Sequence, residues 1–141
     1  MASNSVENVL TVLKIRYNVS TDDYLLHINF GSSGPVDGPS AGTAMLTVLY
    51  SAIFNKALPG DIAMTGELSI RGKVKPIGGA YEKILAAKEA GIKKVFIPKA
   101  NMQDLLKTID IEIIPVEDVD EIIANIFEDE IIQRANSILH A

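Results

Sequence analysis

The 141-residue sequence has no cysteine. That removes a disulfide framework, a thiolate metal site and a cysteine nucleophile together. Histidine is nearly absent, with only His27 and His140. His140 stands beside the C-terminus. His27 lies on a predicted strand next to Asn29, as a polar group of a cleft wall rather than a base. Positive charge is in the minority: 13 Lys and Arg against 18 Asp and Glu give a formal net charge of −5. The sequence pI is about 5.0. Such a balance disfavours nucleic acid as the main partner, since phosphate binding calls for a basic face. No apolar run approaches the ~20 residues of a membrane-spanning helix. The opening stretch MASNSVENVLTVLKIRY lacks the charged start and cleavage site of a signal peptide, so a cytoplasmic setting is expected. No cluster of His, Asp and Glu has ligand spacing, and no metal is expected. Neither an internal repeat nor a low-complexity tract is present.

What the sequence does have is apolar content, 48% of residues, enough for the core of one domain spanning 1–141. NSVENVLTVLK carries Val6, Val9, Leu10 and Leu13 at helical spacing. DDYLLHINF alternates, as a strand does. After the loop GSSGPVDGPS, residues Ala41, Ala44, Met45, Val48, Leu49, Ala52 and Ile53 form a broad helical stripe. DIAMTGELSI and VKPI read as two strands of a hairpin around RGK. AYEKILAAKEA is a helix closed by Gly91. KKVFIP is a buried strand, NMQDLLKTI a helix, IEIIPV a strand and DVDEIIANIF a helix. Residues 128–141 read as a helical tail. Helices alternating with short apolar strands predict an α/β protein with at least one β-α-β unit after Gly79.

Ser40 stands where a Gly- and Pro-rich loop runs into a long apolar helix. Helix starts offer unpaired N–H groups and a dipole that favours negative charge, conditions that stabilise an oxyanion. Serine also suits a helix start for capping alone. A nucleophilic serine needs a base, and a lysine can serve where an apolar setting keeps its amine neutral. Lys83 falls beside Ala86, Ala87 and Ala90, roughly 100° round the helix from Glu82 and Glu89. The alternative is that Lys83 extends along these alanines into water.

Three stretches, GPVDGPSAGTAM, AMTGELSI and IGGAYEKILAAKEAGIKKVFIPKAN, bear on this choice together. They and their separation resemble the proteolytic domain of the Lon proteases, from about Tyr24 to Phe127. The wording PVDGPSAG is closer to the LonB-like branch. The resemblance implies a Lon peptidase-like fold of the ribosomal-protein-S5-domain-2-like type, with a mixed sheet packed by helices. It implies a Ser-Lys dyad of Ser40 and Lys83, 43 residues apart from position 40 to position 83. Thr65 is then the threonine that orients the lysine amine. Gly38 and Pro39 shape the tight serine loop. Asp37 either shapes the cleft or is only a turn residue. Glu67 and Arg71 are structural or interface charges, and Gly78 and Gly79 serve the turn before the lysine helix.

The implied activity is endoproteolysis of unfolded or damaged polypeptides, fed by an ATPase module in a six-membered ring. ATP with magnesium would belong to that module, because these residues hold no G-x-x-x-x-G-K-[ST] loop. The resemblance also implies strands before NSVENVLTVLK, so a truncated domain with an uncovered sheet edge is expected. Two other readings stand beside it. One is a non-catalytic Lon-like assembly module, which would lack the dyad. The other is a small-molecule kinase fragment whose GSSG loop cradles phosphate; the dyad spacing and Asp37 argue against it.

Overall fold

The backbone order follows from where apolar residues recur and where glycine and proline interrupt them. A computed structural model describes residues 2–20 and 39–127. The predicted strand with His27, the loop residues Asp37 and Gly38, and the tail from 128 onward lie outside the described residues.

The elements are α1 (Ala2–Tyr17), α2 (Gly42–Ile53), β1 (Ile62–Met64), β2 (Glu67–Leu68), β3 (Val74–Lys75), α3 (Ala80–Glu89), β4 (Lys94–Pro98), β5 (Glu112–Val116) and α4 (Val119–Phe127). The α/β class is as expected. Among the described residues there are two sheets rather than one mixed sheet. β1, β4 and β5 form a parallel sheet in that order, and β2 and β3 form a separate antiparallel pair. Ile62 lies opposite Lys94, and Lys94 opposite Glu112. Parallel neighbours need a crossover, and α3 lies in the one between β1 and β4. The central strand is buried on both faces, as parallel strands are. Its Val95 and Ile97 pack with Ile84 of α3, Leu106 and Ile109. Phe96 turns the other way, toward Val116, Ile122 and Val74. A third apolar cluster joins α1, α2 and α4 through Val9, Leu13, Leu46, Tyr50, Val119 and Ile123.

Three expectations are corrected. DIAMTGELSI is not one strand: β1 ends at Met64, and β2 begins at Glu67 in the other sheet. The break is at Thr65 and Gly66, whose backbone groups bond to different partners. NMQDLLKTI is not an α-helix. It forms two 3-10 turns, Lys99–Asn101 and Asp104–Thr108, and its buried residues Leu106 and Ile109 are three apart, the repeat of a 3-10 turn. Finally, the stripe read on α2 is out of phase. Thr43, Met45, Leu46, Thr47 and Tyr50 are buried, whereas Val48 is 53% exposed. This helix is apolar nearly all round, so hydrophobicity alone does not fix its phase. Thr47 can be buried because its hydroxyl donates to the Thr43 carbonyl at 2.8 Å.

One ionic clasp ties the ends together. Arg16, in the last turn of α1, donates from Nη1 to Asp118 Oδ1 and Asp120 Oδ2, both at 2.9 Å. Its Nη2 donates to Asp118 Oδ2 at 2.9 Å and to the Arg71 carbonyl at 2.6 Å. Lys73 Nζ lies 3.1 Å from Asp118 Oδ2. The clasp therefore joins α1, the β2–β3 turn and the entry to α4. Burial alone would push the Asp118 carboxyl up. Hydrogen bonds from Arg16, the Asp120 N–H and Lys73 outweigh it and hold the group below its ordinary value.

A depressed carboxyl stabilises the fold above its unfolded-state pKa of about 3.9, and that contribution is lost as pH falls through the lower folded value. Arg16→Met should lower unfolding free energy at pH 7 by about 1.5–3 kcal/mol, the range for charged hydrogen bonds. Urea titrations at pH 7 and pH 3 should show the gap between variant and parent shrinking at the lower pH. An equal gap at both would rule out the ionic account.

Candidate functional site

Ser40 lies in a 3-10 turn, Pro39–Ala41, that leads directly into α2. The N-cap position belongs to Ala41, which has no side chain able to cap. Ser40 is thus one residue outside the capping position, in the turn that presents the helix. Its backbone is fixed by Gly66. The Gly66 N–H donates to the Ser40 carbonyl at 3.0 Å, and the Thr43 N–H donates to the Gly66 carbonyl at 3.2 Å. The second bond occupies one of the donors that a helix start leaves unpaired. Immediately before Gly66, the Thr65 N–H donates to the Phe96 carbonyl at 3.1 Å, extending the β1–β4 pairing. The serine turn is therefore anchored through two residues to the buried central strand.

Such close approach depends on missing side chains. A Cβ at Gly42 would stand 2.9 Å from both the backbone nitrogen and the Cβ of Leu68. At Gly66 it would stand 2.8 Å from Val74 Cγ1 and 3.0 Å from Thr43 Cγ2.

Lys83 lies in the first half of α3, where its N–H donates to the Gly79 carbonyl at 3.1 Å. Gly79 is the N-cap, with φ +68°, so the pair Gly78–Gly79 does serve the turn before the lysine helix. At the other end, the Gly91 N–H bonds to the Lys88 carbonyl and the Ile92 N–H to the Ala87 carbonyl, both at 3.0 Å, a paired closure of the helix. Lys83 is partly buried as a residue, and its amine points inward rather than to solvent. Its amine is buried and makes no hydrogen bond to any described residue. The surroundings form a cavity of about 50 Å³ lined by Ala63, Met64, Thr65, Ile84, Ala87 and Val95. The alanine surface expected to cover the lysine is only partly right. Ala87 lines the cavity, but Ala86 and Ala90 are exposed. Burial comes instead from β1 and β4, because α3 packs that face against the sheet.

Thr65 is the joint between the two halves. It lines the lysine cavity, and its neighbour Gly66 holds the serine turn. Glu67 is a structural charge, paired across the hairpin with Lys75 at 3.9 Å. Arg71 is exposed, and its carbonyl accepts from Arg16. Pro39 opens the serine turn. Sequence reasoning passed over Gly42 and Gly66 individually, although a glycine inside a strand pattern is a signal of close backbone approach. It also passed over Asn101, which bonds the backbone of Ile77.

Comparison with known proteins bears on this arrangement. Residues 2–129 match the family model described as Lon protease (S16) C-terminal proteolytic domain. The chain belongs to the Lon proteolytic-domain family. It is 53% identical over 130 residues to Lon protease 2 of Bacillus subtilis (strain 168), covering 89% of this chain and 23% of that protein. It is 42% identical over 134 residues to the archaeal Lon protease of Thermococcus kodakarensis, covering 92% and 21%. To a Lon protease of Vibrio parahaemolyticus it is 42% identical over 132 residues, covering 84% and 17%. This Lon domain thus spans less than a quarter of the length of each. Among its described residues no helix is long and apolar enough to cross a membrane.

Replacing glycine by alanine inside a helix ordinarily stabilises by up to about 1 kcal/mol. Gly42→Ala should do the reverse here, destabilising by about 1–3 kcal/mol through overpacking against the Leu68 backbone; thermal unfolding reads the sign. A second expectation concerns the buried amine. An unpartnered buried polar group costs about 1–3 kcal/mol, so Lys83→Met should raise unfolding free energy by roughly 1–2 kcal/mol. A methionine variant less stable than the parent would mean that the amine has a stabilising partner.

Proposed function

We propose that this domain is a serine endopeptidase in which Ser40 is the nucleophile and Lys83 the general base. The observation that carries the reading is the Lys83 amine, buried without a hydrogen-bond partner among the described residues, in a mostly apolar cavity that shares Thr65 with the serine anchor. A lysine amine can serve as the base of a serine nucleophile, and here the cavity that holds it adjoins the residue pair that anchors the serine turn. The dyad bond is not formed in this structure, and catalytic hydrogen bonds often close only with substrate bound.

Lys83 accepts the Ser40 proton as the serine oxygen bonds to the scissile carbonyl carbon. The tetrahedral oxyanion is stabilised by backbone N–H groups of the serine loop. Collapse breaks the C–N bond, and the lysinium returns the proton to the leaving amine, leaving an acyl-enzyme. Lys83 then draws a proton from water, whose oxygen attacks the ester and frees the acid and Ser40. Thr65, which lines the same cavity without bonding the amine in this structure, is assigned the role of orienting it in the substrate complex. The roles given to Gly38 and Pro39 in the serine loop, and to Asp37 as a cleft-shaping or only a turn residue, rest on the family resemblance.

The proposed substrates are unfolded or damaged polypeptides. Delivery would come from an ATPase module, with ATP and magnesium bound there, in a cytoplasmic hexamer. What supports this is the Lon name of relatives four to six times longer, together with the lack of a Walker loop in these residues.

Ser40→Ala should reduce hydrolysis of casein or a fluorogenic peptide by at least about 10³-fold with the fold retained. Lys83→Arg and Lys83→Gln should be similarly inactive, arginine because it keeps its proton. ATP should not stimulate the chain. Normal turnover by the Ser40 variant, or substantial activity with arginine at 83, would refute the dyad.

A further inference from the structure

The lysine half of the site needs its own anchor. α3 is preceded by Gly78 and Gly79, two exposed residues without side chains. Gly79 is left-handed and accepts the N–H of Lys83. A glycine pair gives the chain wide freedom, so it does not by itself decide where the helix starts. Something upstream must stop the segment from swinging.

That restraint is the Asn101 carboxamide. The Ile77 N–H donates to Asn101 Oδ1 at 2.9 Å, and Asn101 Nδ2 donates to the Ile77 carbonyl at 2.8 Å. Both backbone groups of the last residue before the glycines are held by one side chain, 24 positions away in sequence. Asn101 closes the 3-10 turn directly after β4. β4 is the strand whose Phe96 carbonyl already holds Thr65. One buried strand thus fixes the serine half through Phe96 and the lysine half through Asn101.

We propose that Asn101 is a positioning residue for the peptidase reaction: its two-bond grip on Ile77 sets the start of α3 and so the placement of the Lys83 amine. This rests on the dyad reading above. No other side chain reproduces the grip. Aspartate keeps the acceptor but sets an oxygen against the Ile77 carbonyl. Glutamine is longer by a methylene. Alanine removes both bonds.

The test uses Asn101→Ala and Asn101→Asp in this chain, with two readouts. Amide hydrogen exchange reports the anchor: Ile77 and Lys83 N–H groups should exchange at least about tenfold faster in both variants, with Val95 and Ile97 unchanged. Peptide hydrolysis, normalised to serines titrated by a fluorophosphonate, reports catalysis. kcat per titrated serine should fall about 10- to 100-fold, the scale of a misplaced catalytic group, while KM stays within about twofold. A residue that merely stabilised the fold would reduce the number of titratable serines and leave kcat per serine intact; that result overturns the proposal. So does unchanged exchange at Lys83. If Ser40→Ala cleaves as the parent does, the dyad reading fails, and exchange still decides whether Asn101 anchors α3.

Discussion

The backbone pairing of Gly66 with the serine turn is the constraint on which the rest of the arrangement depends. It requires a residue with no side chain at 66, because Val74 and Thr43 fill the adjoining space. It requires another at 42, where the helix meets Leu68. Given those, α2 can lie against β2 with Ser40 at its head. The preceding Thr65 then extends the β1–β4 ladder beside the lysine cavity. The break that splits DIAMTGELSI between two sheets is the same event: the chain leaves one sheet so that its backbone can hold the nucleophile's turn.

Chemistry and stability pull against each other at Lys83. A partner for its amine would relieve the cost of burial. A carboxylate partner would also hold it as an ammonium, unable to act as a base. Among the described residues, the cavity round it is lined by apolar groups and one threonine. The charged pairs lie elsewhere, as in Arg16 with Asp118 and Lys99 with Glu117.

Local signals were legible where sequence and packing agree. The lysine helix and its Gly91 end, the buried strand KVFIP and the helix after Val116 could be read from periodicity and punctuation. The separation of Ser40 and Lys83 carried the family resemblance. Other features depend on partners distant in sequence. The phase of α2 is set by burial of Thr43 and Thr47, which no hydrophobicity pattern favours. The cover over Lys83 comes from Ala63, Met64 and Val95, which share no repeat with it. Asn101 resembles any loop asparagine until Ile77 is seen beside it.

The Arg16 clasp also bears on how the chain acquires its shape. Its partners lie 102 and 104 positions downstream. During synthesis at about 5–20 residues per second, Arg16 waits roughly 5–20 s before those carboxylates exist. Over that interval α1 can form its local hydrogen bonds, but its buried face, Val9, Val12 and Leu13, lacks Val119 and Ile123. Closing so long a loop is slow compared with forming local turns. Within this domain α1 is therefore made well before the clasp that secures it, and in the interval its apolar face has α2, through Leu46 and Tyr50, but not yet α4 to pack against.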